Sequence, residues 1–121
     1  IFSKYATTGD GLITAIKVMQ VMLDTKLPLS KLAAPVVIYP QVLKNVIVDD
    51  KDGTMADPAV TASVARVEES LGGTGRVLLR KSGTEPVLRV MAEAQTDERC
   101  EAAVDEIIEA MRTSGHLVRV K

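Results

Sequence analysis

Near the start of the chain, apolar residues are dense rather than periodic. Leu12, Ile13, Ala15, Ile16, Val18, Met19, Val21, Met22 and Leu23 leave only Thr14, Lys17, Gln20 and Asp24 as a narrow polar stripe. This pattern predicts a helix from about Leu12 to about Thr25. A helix that is apolar around most of its circumference demands cover from other elements. Asp10, in the turn Thr7-Thr8-Gly9-Asp10-Gly11, is placed to cap it. No strand-rich segment beside it supplies the cover, so it reads as the last element of a domain whose body lies elsewhere. Pro28, Pro35 and Pro40 then break helix and central strand alike, leaving a linker with one short helical turn near 30–34.

Beyond the prolines the periodicity alternates between two and 3.6. Leu43 to Val48 reads as a strand, followed by an acidic turn, Asp49-Asp50-Lys51-Asp52-Gly53. Asp57-Pro58 is an N-cap with proline at the first helical position, Val60, Val64, Val67 and Leu71 recur at helical spacing, and Gly72-Gly73 stops the helix. Arg76 to Arg80 and Val87 to Ala94 are strand-like and flank a short polar loop. In the second of them Leu88, Val90 and Ala92 share a face opposite Arg89 and Met91. Thr96 caps a last helix, with Asp97 and Glu98 in its first turn. Its buried stripe is Cys100, Ala103, Val104, Ile107, Ile108 and Met111; Gly115 ends it and His116 to Val120 is the final strand. The order strand, helix, strand, strand, helix, strand predicts an α+β domain: a four-stranded, mostly antiparallel sheet with two helices on one face. The expected division is 1–34 as the tail of an upstream domain, 35–42 as linker and 43–121 as the α+β domain.

Composition bounds this picture. The chain has 121 residues, 46% hydrophobic and 26% charged, which fits one domain, or one and part of another, and argues against disorder. Aromatic residues make up only 2%, so the core must be built from Val, Leu, Ile, Met and Ala. Fifteen basic against 16 acidic side chains give a net charge of −1, which offers no global attraction to nucleic acid or an anionic membrane. Cys100 is the one cysteine and can form neither an internal disulfide nor a cysteine-rich zinc site. The chain opens Ile1-Phe2-Ser3-Lys4, without an initiator Met or a signal-like run. No stretch reaches the roughly 18 apolar residues of a membrane span. A soluble, cytoplasmic piece of something longer is the expectation.

The strongest chemical signal is Arg80-Lys81-Ser82-Gly83-Thr84-Glu85-Pro86 together with Arg89. A tight loop between strands can aim several backbone N–H groups into one concavity that suits anionic oxygens. Gly83 allows the positive φ such a turn can need, and Ser82 and Thr84 offer hydroxyl donors. Arg80 and Arg89 flank the loop and can clamp a phosphate through their guanidinium forks. Residue types alone serve equally well for a polar hairpin whose arginines solvate a sheet edge.

Resemblance separates the two. Arg80 to Ala94, RKSGTEPVLRVMAEA, resembles the C-terminal phosphate-binding loop of the α-D-phosphohexomutase superfamily. Ile1 to Gly11, IFSKYATTGDG, is similar to the stretch after that family's sugar-recognition loop, and its TTGDG form favours the branch acting on glucosamine phosphates over the phosphomannomutase/phosphoglucomutase branch. The resemblance implies a four-domain enzyme that interconverts the 6- and 1-phosphates of glucosamine, using an active-site phosphoserine, Mg2+ and a bisphosphorylated intermediate. It implies that Arg80, Ser82, Gly83, Thr84 and Arg89 contact the phosphate that is not being transferred, in a domain that closes over the sugar. Lys81 stands where many relatives carry Pro and counts as an added cation. The family's nucleophile, metal and sugar-selecting loops match nothing here, so this chain is expected to hold no Mg2+ and to be inactive alone. The implied partners are a phosphosugar and the upstream domains, with a homodimer of the parent left open.

Weaker signals have simpler readings. Aligning Gly53 with the sixth position of a calcium loop puts Val48 and Ala59 where acids are required. Gly72-Gly73-Thr74-Gly75 precedes a strand, not a helix, and is no dinucleotide fingerprint. His116 reads as structural and Cys100 as a small core residue. Two competing functions remain: a nucleic-acid module, which would want stacking aromatics on its strands, and a dimerisation or regulatory domain.

Overall fold

A computed structural model describes residues 1–121. They divide into two units, Ile1–Ile38 and Tyr39–Lys121. In the first, α1 spans Gly11–Thr25. Asp10 caps it as the sequence predicts, its carboxylate accepting from Ile13 N at 2.9 Å. Lys26 closes it in the left-handed region at φ 57°. A five-residue helix, α2, follows at Leu29–Ala33. No residue of α1 is buried; Leu12, Ile16, Met19 and Leu23 are all exposed. No helix of the chain is long and apolar enough to cross a membrane.

The second unit contains β1 (Gln41–Val48), α3 (Lys51–Ala56), α4 (Pro58–Leu71), β2 (Arg76–Lys81), β3 (Val87–Glu93), α5 (Asp97–Thr113) and β4 (Leu117–Val120). The four strands form one sheet in the order β2-β3-β1-β4, with every neighbouring pair antiparallel. β1 begins at Gln41, two residues before the apolar run that marks it in the sequence. Register places Val46 opposite Leu88 and Val42 opposite Ala92. Val46, Leu88, Ala92 and Val90 meet Val60, Val67 and Leu71 of α4 and Cys100, Val104, Ile107, Ile108 and Met111 of α5 in one buried cluster, with the half-buried Val42 packed against it. The predicted stripe of α5 is buried position for position. No aromatic residue takes part in this core, so its stability rests on close fit among small aliphatic side chains. Cys100 lies inside it, its thiol donating to Pro40 O at 3.3 Å.

Caps and close approaches set the element ends. Asp57 accepts from Ala59 N and Val60 N to start α4. Gly72 ends that helix in the left-handed region at φ 54°, where a Cβ would be strained. At Gly75 a Cβ would collide with the Glu93 carbonyl oxygen, so only glycine lets this turn lie against β3. Lys44 faces the helices between Val42 and Val46, and it is held there by Glu101 and Asp105 of α5, both at 2.6 Å.

The segment read from sequence as an acidic turn is instead the start of a helix. Asp50 accepts from Asp52 N and Gly53 N as N-cap of α3, and Thr54 is fully buried. Six residues with one large apolar side chain, Met55, are too few to show a period, which is why the helix is not visible in the pattern. Nearby, His116 Nδ1 lies 3.0 Å from Asp49 Oδ1, and Nε2 lies 3.6 Å from Asp57 Oδ2. Hydrogen bonding to Asp49 holds the imidazole above its ordinary value of 6.5, and the Asp49 and Asp57 carboxyls are held below 3.8, Asp49 mainly by His116 and Asp57 mainly by Val60 N–H.

Two outcomes follow for stability. Ile107→Ala, deep in the core, should cost about 3 kcal/mol in urea unfolding of the full chain, whereas Leu78→Ala on the half-open sheet face should cost under about 1 kcal/mol. The imidazole binds its proton more tightly folded than unfolded, so its contribution is complete below about pH 6.5 and fades as pH rises through the folded value. The Tm deficit of His116→Gln should therefore be largest below pH 6.5 and shrink with rising pH. A deficit independent of pH would show that the imidazole charge plays no part.

Candidate functional site

The hairpin β2–β3 builds the site. Lys81 pairs with Leu88 in the last register position, and Ser82 N donates to Val87 O at 3.0 Å, leaving 83–86 as a short exposed loop. Ser82 is only 5% exposed, and its hydroxyl accepts from Glu85 N at 3.4 Å. That bond uses a lone pair, and the hydroxyl proton stays available for donation. No acceptor within the chain takes the N–H of Gly83 or Thr84. Gly83 does not adopt the positive φ that its residue type allows, and a Cβ built on it meets nothing within 4 Å. Its contribution is access: without a side chain, the backbone donor at 83 can be approached closely.

The strand alternation that buries Leu88 and Val90 sends Arg89 to the open face of the sheet. There it stands directly opposite Arg80 of β2 on one side and Asn45 of β1 on the other. Like charges in directly opposed positions are unfavourable, and the pairing concentrates positive potential beside the loop. Arg89 Nε is buried and has no acceptor within the chain. Such an orphaned donor costs about 1–3 kcal/mol, a cost that an anion bound across the two guanidinium groups would relieve.

The lysines differ from the arginines. Lys81, an added cation by sequence, forms an ion pair with Asp52 of α3. Lys121 holds Glu85 at 3.0 Å and keeps its carboxyl below the usual glutamate value, with the Arg89 charge adding to the effect. Lys51, which no local pattern singled out, donates to Ser82 O at 3.0 Å and Glu85 O at 3.1 Å. With Asp52 and Glu85 already paired, Arg80 and Arg89 have no carboxylate partner. The structure thus brings Arg80, Ser82, Gly83, Thr84 and Arg89 to one end of one hairpin. Asn45 and Lys51 join them from β1 and α3, at least 29 residues away in the chain.

The remaining chemistry-bearing residues lie elsewhere. Asp10 caps α1, Cys100 is in the core and His116 is tied to Asp49 and Asp57. No group of three His, Cys, Asp or Glu side chains is arranged to hold a metal ion.

Comparison with known proteins gives the family. Residues 43–110 match the family model for the phosphoglucomutase/phosphomannomutase C-terminal domain, and residues 1–39 match that for the α/β/α domain III. The chain is 58% identical over 118 residues to a phosphoglucosamine mutase of Lachnospira eligens, covering 98% of this chain and 26% of that protein. It is 51% identical over 117 residues to one of Leuconostoc mesenteroides, covering 97% and 26%. It therefore spans about a quarter of the length of these curated relatives. Among solved structures, N-acetylphosphoglucosamine mutase of Aspergillus fumigatus, in complex with GlcNAc-6P and magnesium, shares the fold at a TM-score of 0.70 and 22% identity, covering 88% of this chain and 22% of that one. An N-acetylglucosamine-phosphate mutase in its product complex, described as a member of the α-D-phosphohexomutase superfamily, matches at 0.66 and 25% identity, covering 84% and 20%. A hairpin loop with open backbone donors, two unpaired arginines across one strand pair and a family match spanning that hairpin lead to one conclusion: the chain belongs to the phosphoglucomutase/phosphomannomutase family and carries its C-terminal domain.

Proposed function

We propose that this chain is the substrate-phosphate-binding part of a phosphoglucosamine mutase, a cytoplasmic enzyme interconverting glucosamine 6-phosphate and glucosamine 1-phosphate. The observation that carries the reading is the orphaned Arg89 Nε opposite Arg80, beside a loop whose Gly83 and Thr84 N–H groups have no acceptor. The names of the relatives at 58% and 51% identity support the choice of sugar. Arg80 and Arg89 supply charge-assisted bonds to the phosphate that is not being transferred, Ser82 and Thr84 supply hydroxyl donors, and Gly83 supplies a backbone donor. These groups position an anion, and phosphoryl transfer depends chiefly on positioning and charge stabilisation. Mg2+ would contribute charge neutralisation from ligands outside this chain. The whole enzyme would close this domain over the sugar, with the other walls of the site coming from its remaining domains, and the chain alone would show no turnover.

The nucleic-acid alternative gains nothing from the sheet. Its open face presents Leu43, Asn45, Leu78, Arg80, Arg89 and Met91, with no aromatic side chain among the central rows. Base stacking, which supplies much of the affinity for single strands, has no platform there.

Titration of the full chain with glucosamine 6-phosphate, followed by 1H–15N NMR, should shift amides 82–85 and the strand residues beside Arg80 and Arg89. Arg80→Ala and Arg89→Ala should each weaken binding about tenfold, as expected for the loss of a charge-assisted hydrogen bond. Shifts spread across the sheet and indifferent to both substitutions would sink the reading.

A further inference from the structure

We infer that Lys51 is a positioning residue for the anion loop: its ammonium ties down the loop's carbonyls on one side and so aims the N–H donor at 83 to the other. The inference rests on the phosphate-binding reading of that loop and extends it to a residue in a different element. Lys51 opens α3, immediately after the Asp50 cap, and its Nζ reaches Ser82 O at 3.0 Å and Glu85 O at 3.1 Å. These two carbonyls bracket the exposed turn at its start and near its end. Every peptide bond in the chain is trans, so the C=O of Ser82 and the N–H of Gly83 point in opposite directions across one planar unit. Holding the first toward α3 directs the second away from it. The same contacts keep the two carbonyl dipoles from turning toward a bound anion, which they would repel.

The attachment is reinforced on both sides. Asp52, one residue along α3, pairs with Lys81 just before the loop, and Lys121 pairs with Glu85 within it. Residues 82–86 form neither helix nor strand, and beyond the Ser82–Val87 and Glu85–Ser82 bonds the loop has little to define its shape. Lys51 is the single side chain that bonds both ends of the turn. A loop ordered before the ligand arrives avoids the entropic cost of ordering on binding.

Lys51→Met in the full chain, with Lys51→Arg as the conservative partner, tests the role by two readouts. In the ligand-free protein the heteronuclear NOE of amides 83–85 should drop in Lys51→Met and recover in Lys51→Arg, whose fork also reaches two carbonyls. Glucosamine 6-phosphate, or inorganic phosphate as the minimal probe, should bind Lys51→Met about tenfold more weakly, with recovery in Lys51→Arg. Unchanged loop order in Lys51→Met overturns the inference. If affinity nevertheless falls, Lys51 acts as a direct charge on the anion instead. Lys51→Ala, which also removes the donor, gives the same decision if the methionine variant does not fold. If the unsubstituted chain shows no loop shifts with either probe, the phosphate-binding reading fails, while the ligand-free NOE still decides whether Lys51 orders the turn.

Discussion

The register of β3 is the constraint on which both the core and the site depend. From Leu88 onward its residues alternate, with Leu88, Val90 and Ala92 turned to the helices and Arg89, Met91 and Glu93 turned to the other face. A slip of one residue would bury Arg89 and expose Leu88, so the apolar demand of the core fixes where the arginine points. The same register sets Arg89 against Arg80 and Asn45, and the hairpin that enforces it is the one whose turn carries Ser82, Gly83 and Thr84. Stability and the placement of the two arginines are therefore two faces of one strand, and the core accepts an unfavourable arginine pair because the aliphatic face outweighs it.

Charge around the loop is partitioned by chemistry. The lysines, flexible point charges, are engaged within the protein: Lys81 with Asp52, Lys121 with Glu85, Lys51 with two carbonyls. The arginines, with planar forks suited to oxyanions, stay without an intramolecular carboxylate. A chain with net charge −1 can thus present a cationic site, because what matters to a small anion is which cations remain unpaired within a few ångströms. The orphaned Nε of Arg89 is the sharpest mark of that arrangement, since a buried donor is rarely left without a partner unless its partner comes from outside.

Much of this is local and so was legible. The caps Asp10, Asp57 and Thr96 and the stop Gly72 act within a few residues of themselves, and each appears in place. The stripe of α5 and the alternation of β3 are single-element periodicities, and they too read correctly. What did not read is what has no period or no local partner. α3 is held by the Asp50 cap and by burial of Thr54 rather than by an apolar stripe. Gly83 has the residue type for a positive φ, yet the turn bends without one. Lys51 looked like one charge among several in a polar stretch.

The sequence by itself determined the α+β element order, the aliphatic core stripes and the loop motif, because each depends on contacts between residues close in the chain or on a pattern within one strand or helix. Only the tertiary structure decided which cations are free. Ion pairing depends on what meets across the sheet and between α3 and the hairpin, at separations of about 30 residues that no periodicity encodes. The physical reason is range: a hydrophobic period is read along one element, whereas a hydrogen bond a few ångströms long is settled only once the elements have packed.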